Sequence, residues 1–139
     1  MVIPGADSSS FTSALLIFAI VLTIGSTAAT VSGKTVYNDV APLVVADRTM
    51  LPARFVAENL GAVVSWDGKT ESVTIEGHNR YIELFVGSNF AKIDGETITL
   101  DSTPFVQNGR TYVPVRFISE ALGANVEWVE ALQQVIITA

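Results

Sequence analysis

The chain has 139 residues, a length that suits one domain or two very small ones sharing a core, and 49% of them are apolar, which excludes disorder for most of it. There is no cysteine, so a disulfide framework and a thiolate metal site are both excluded. The net charge of -6, with eight Lys and Arg residues scattered singly, repels phosphate backbones and argues against nucleic acid as a partner.

The first element in chain order is an uncharged stretch over residues 8–33, nearly continuous hydrocarbon over residues 14–24. As a signal peptide it has a suitable apolar length and small residues at 26–29, but the segment before it holds Asp7 and no Lys or Arg. As a membrane span it falls short of the roughly 20 apolar residues needed, so none is expected in the mature form. As a strand, residues 20–31 match a later segment position by position, which places them in a sheet. Residues 1–19 then form an apolar arm, either a targeting segment, a helix or a strand with no partner in its own unit. If retained, Phe11, Leu15, Leu16, Ile17 and Phe18 are expected to pair with a sheet edge of a neighbouring subunit, because such an arm aggregates unless paired. That expectation describes a self-associating homo-oligomer or homopolymer, such as a surface filament.

The later segment belongs to an internal repeat. Arg48-Thr49-Met50-Leu51-Pro52-Ala53-Arg54-Phe55 aligns with Arg110-Thr111-Tyr112-Val113-Pro114-Val115-Arg116-Phe117, a shift of 62 residues. About 23 of roughly 56 aligned positions are identical without a gap, which composition alone does not produce. The repeats span 20–76 and 82–139, with 77–81 as a link.

Each copy reads the same way. Ile82, Leu84 and Val86 alternate with Tyr81, Glu83 and Phe85, a half-buried strand ended by Gly87. Asp94-Gly95 and Asn108-Gly109 mark hairpin turns, with Ser32-Gly33 and the weaker Ala46-Asp47 in the first copy. Pro52 and Pro114 open helices of about nine residues at the first helical position, and Gly123 stops the second. Phe117, Ile118, Ala121 and Leu122 supply its apolar face. After it, Val126 and Trp128 alternate with Asn125 and Glu127, as in a strand. The fold class is α+β: a duplicated unit of antiparallel β-hairpins with one short helix per copy, packed as a single compact domain.

The run Asn108-Gly109-Arg110-Thr111-Tyr112-Val113-Pro114-Val115-Arg116-Phe117, continued by Ile118-Ser119-Glu120-Ala121-Leu122-Gly123-Ala124-Asn125-Val126-Glu127-Trp128, resembles the copper amine oxidase N-terminal-like domain. The resemblance covers both copies. It implies a non-catalytic accessory or stalk module of Gram-positive envelope and secreted proteins, and so an extracellular or cell-surface location. The copper and quinone of amine oxidases belong to a separate catalytic domain, which nothing in this sequence resembles, so no cofactor is expected.

The residues themselves agree with a non-enzyme. His78 is the only histidine, too few for a multi-histidine copper or zinc site, and in Gly77-His78-Asn79-Arg80 it reads as an exposed linker residue. Arg54 with Glu58 and Arg116 with Glu120 meet at i and i+4. They could form a ligand clamp; their recurrence favours a scaffold role, fixing each helix to a neighbouring strand or turn through backbone carbonyls. Glu127 and Glu130 read as solvated rather than as a glycosidase pair. Trp66 and Trp128 could stack on sugars, but they alternate in phase with apolar valines, which assigns them to the core. An alternative function, binding of cell-wall polysaccharide or peptide, would use exposed aromatics such as Tyr81, Phe85, Phe90 or Tyr112.

Overall fold

The computed structural model describes residues 18–38 and 40–139. The first half runs β1 (Ala19–Thr23), β2 (Ala28–Val31), β3 (Lys34–Tyr37), β4 (Leu43–Val45), β5 (Arg48–Pro52), α1 (Ala53–Asn59), β6 (Val63–Asp67) and β7 (Ser72–Gly77). The second half gives β8 (Arg80–Phe85), β9 (Phe90–Ile93), β10 (Glu96–Thr99), β11 (Phe105–Gln107) and β12 (Arg110–Pro114). It ends with α2 (Val115–Ala121), β13 (Asn125–Val129), a 3₁₀ turn (Glu130–Leu132) and β14 (Gln134–Thr138). Antiparallel sheets with two short helices make this an α+β structure.

Local chemistry explains the turns. Two-residue hairpins follow the right-handed strand twist when both central residues take positive φ. Asn108 and Gly109 do so at 55° and 72°. Ala46 and Asp47 adopt the same form at 51° and 65° without a glycine, a strained choice that the β4–β5 ladder must hold in place. His78 and Asn79 are a third such turn, at 54° and 62°. Residues 77–81 close the hairpin of β7 on β8, with Gly77 opposite Arg80. The histidine is exposed, and its Nε2–H donates to the Leu60 carbonyl at the end of α1.

The helices are seven residues long and start one residue later than the proline spacing suggests. Pro52 is the last residue of β5 and caps α1 with φ -61° and ψ 124°. It keeps extended ψ because it still pairs with Tyr112 across β5–β12, while its missing N–H is harmless where strand gives way to helix.

Every sheet takes strands from both halves. The orders are β13-β14-β1-β2-β3, β10-β9-β8-β7-β6 and β11-β12-β5-β4. The β1–β14 pair, with Ile20 opposite Ile137, corresponds at the 62-residue shift to the β8–β7 pair, with Ile82 opposite Ile75. The β5–β12 pair corresponds to itself, with Leu51 opposite Val113. Ala139 N–H donates to the Phe18 carbonyl at 3.1 Å, extending the β1–β14 ladder by one bond.

One buried cluster draws on both halves, with Ile20, Leu51 and Val56 beside Ile82, Val113 and Ile118. The helices pack on each other, on β5 and β12, and each on its own edge strand, α1 on β6 and α2 on β13. The alternation of β5 and β12 sends Met50 and Tyr112 to the opposite face, where they meet Val40, Leu43 and Phe105 in a second, smaller cluster.

Candidate ligand grooves

Trp66 and Trp128 are 49% and 40% exposed, which corrects their assignment to the core. They do lie on the face that alternation gives them: Trp66 stands opposite Val73, on the same side of β6 as the partly buried Val64. What alternation cannot show is where the helix stops covering that face. α1 packs on β6 and Val64 lies against the core, while Val64 and Trp66 together form part of the wall of a groove.

That groove has a volume of about 610 Å³. Its sides are the start of α1 (Pro52, Ala53, Arg54) and the β6–β7 face (Val64, Trp66, Val73). The tip of the β11–β12 hairpin (Val106, Gly109, Arg110, Thr111) closes it. A second groove, of about 540 Å³, has Pro114, Val115 and Arg116, then Val126, Trp128 and Val135, and the β4–β5 tip with Val44, Asp47, Arg48 and Thr49. All ten positions of the first recur in the second at the 62-residue shift. Each groove thus joins the helix and edge strand of one half to a hairpin tip of the other. The second also contains Asp101, Glu130 and Gln133, and there Arg48 Nε bonds Asp101 Oδ2 at 2.9 Å.

A third hollow, of about 440 Å³, adjoins the first groove and shares Pro52, Arg54 and Arg110 with it. Tyr37, Phe55 and Glu58 complete much of its wall. Tyr37 is 78% exposed, and its counterpart in the second half is Thr99.

An exposed indole beside valines, prolines and guanidinium groups offers a flat π face for stacking together with planar donors for anionic or hydroxyl oxygens. Such a surface is suited to stacking and hydrogen bonding. Among the described residues no group of three or more His, Asp or Glu is placed to hold a metal ion.

The family model described as the copper amine oxidase N-terminal domain matches residues 18–75 and 30–137. The chain belongs to that family. In copper amine oxidases this N-terminal domain is non-catalytic. A relative named "Protease inhibitor" from Brevibacillus choshinensis is 38% identical over 80 residues, 55% of this chain. The chain spans 24% of that relative's length.

The other residues singled out from sequence fall in several places. Arg54 Nη1 donates to Glu58 Oε2 at 2.8 Å and Arg116 Nη1 to Glu120 Oε2 at 3.1 Å, both pairs exposed. The glutamates lie on the arginines' own helices, so these bonds do not fasten helix to strand as expected; Arg54 and Arg116 instead line the grooves. Tyr81, Phe85 and Phe90 share the outer face of the β8–β9 pair, where Phe85 and Phe90 rings lie 5.2 Å apart. They line none of the three hollows described. Tyr112 is not a surface residue: it is 1% exposed, stacked on Phe105 at 5.1 Å, and its hydroxyl donates to the Ala41 carbonyl at 2.9 Å. Counting from Val113 shows why, since the strand buries both faces. Glu127 is exposed and Glu130 borders the second groove.

Of the expected self-association residues, Phe18 packs against the chain's own core, so it is not part of a free arm. Phe11, Leu15, Leu16 and Ile17 lie outside the described residues. The sequence reading missed Arg48, Arg110 and Tyr37. The recurrence of Arg48 and Arg110 directly after the hairpin turns was the available signal.

Proposed function

We propose that this chain is a non-catalytic module, a duplicated unit folded as one domain, that holds an extended cell-wall polysaccharide in its two tryptophan grooves. The observation that supports this most is the match of the grooves at all ten positions. A ligand with a repeating unit presents the same epitope at intervals, and a duplicated groove gains avidity from it that a unique ligand cannot supply. The reading puts the module outside the cell, where such polymers lie, and accords with a non-catalytic family.

The test is calorimetric titration of purified wall polysaccharide into the intact chain and into Trp66→Ala, Trp128→Ala and the double variant. Each single variant is expected to lose avidity by about tenfold or more, and the double variant to lose binding, with circular dichroism unchanged. A folded double variant that binds as tightly as the parent refutes the proposal. A second reading, capture of an extended peptide, is favoured by one observation: β6 and β13 are edge strands beside the grooves and could each pair with an added strand.

A further inference from the structure

The two grooves differ where the copies have diverged. In the second groove Asp47 and Glu130 are carboxylates; the matching positions are Gly109, which lines the first groove, and Gly68. Gly68 lies beside the Trp66 indole, where a β-carbon would sit 3.5 Å from Nε1. Gln133 of the second groove in turn matches Glu71, so the first groove has one fewer negative group at the matching positions. It also continues into the hollow carrying Tyr37, whereas the second half has Thr99 at that position. Arg54 and Arg110, shared by groove and hollow, stand between the Trp66 and Tyr37 ends.

We infer, resting on the groove-binding reading above, that the first groove is the principal site and takes an acidic glycan. Sugar rings stack on Trp66 and Tyr37, and carboxylates between them meet Arg54 and Arg110. The axial C–H groups of a pyranose carry partial positive charge toward a ring face, the geometry that an aromatic quadrupole attracts. The guanidinium has five N–H donors, so the bond from Arg54 Nη1 to Glu58 leaves others for a ligand carboxylate. The overall charge of -6 repels anions at long range, so recognition rests on these local groups rather than on steering.

The experiment uses the full chain with one reporter at a time. Trp128→Phe leaves Trp66 to report the first groove, and Trp66→Phe leaves Trp128 to report the second. Each is titrated by tryptophan fluorescence with tetragalacturonate, neutral chitotetraose and hexaglutamate. Tetragalacturonate is expected to bind the first groove about tenfold more tightly than the second, and about tenfold more tightly than chitotetraose binds the first. Adding Tyr37→Thr, the residue of the other half, should weaken it about threefold to tenfold at the first groove only.

Equal affinity at both grooves, indifference to Tyr37→Thr, preference for chitotetraose, or hexaglutamate binding as tightly as the sugar each overturns the inference while leaving groove binding intact. Silence of both tryptophans toward every compound and toward wall polysaccharide overturns the underlying proposal as well.

Discussion

Ser119 offers a test of how well the two halves explain each other. It lies on the core face of α2, fully buried, and its Oγ has no hydrogen-bond partner among the described residues. Sixty-two residues earlier the same place on α1 is Ala57, also fully buried. A buried hydroxyl without a partner costs about 1–3 kcal/mol. Replacing Ser119 by Ala removes that cost and leaves a void of roughly 15 Å³, worth about 0.4 kcal/mol against the variant. The net expectation is a gain of about 1 kcal/mol, an increase in Tm of roughly 3–6 °C for a chain of this length. Urea unfolding at constant m-value, with a parallel thermal scan, reads it directly. The reciprocal Ala57→Ser should lose about 1–3 kcal/mol. If Ser119→Ala instead lowers the midpoint, the hydroxyl has a partner in solution, a carbonyl one turn back being the nearest chemistry, and the reasoning fails.

Three further expectations concern other elements. Tyr112→Phe keeps the stack on Phe105 but strips the Ala41 carbonyl of its donor, and should cost about 1–2 kcal/mol by denaturant titration. Gly77→Ala would place a β-carbon 2.8 Å from Ala62 Cβ and 3.0 Å from its Cα; a loss of about 1–3 kcal/mol is expected, and an unchanged midpoint would show that the α1–β6 connection yields freely. Glu58→Gln and Glu120→Gln each break an exposed i,i+4 pair, so each should cost no more than about 0.5 kcal/mol, shrinking further in high salt.

Much of the fold was legible because strand and turn chemistry is local. Asn108-Gly109 and Asp94-Gly95 announce hairpins, and Ile82, Leu84 and Ile20, Leu22 alternate as half-buried strands do. His78-Asn79 reads as a linker because neither residue is glycine, yet both take positive φ when the β7–β8 ladder holds them. The mixing of halves within each sheet was not legible, since which strands pair across the repeat is a tertiary matter. The site was legible only in part. Repetition reads as scaffold at Arg54 and Arg116, and alternation with valines reads as core at Trp66 and Trp128. A groove that is itself duplicated recurs in sequence just as a core does. Burial separates the two cases, and burial depends on where α1 and α2 end rather than on any pattern within β6 or β13.

The bond from Ala139 to Phe18 closes one end of the β1–β14 ladder. If the module is tethered through these two residues, tension acts across that pair at right angles to its strands. The ladder then opens like a zipper, one bond at a time from Ala139 inward to Gln134, instead of resisting with all its bonds at once. The matching β7–β8 pair has its corresponding end sealed by His78 and Asn79, so it is spared the load. Under a steady pull the sheet holding Trp128 would part before the sheet holding Trp66. Grip on a polymer would then be shed one groove at a time.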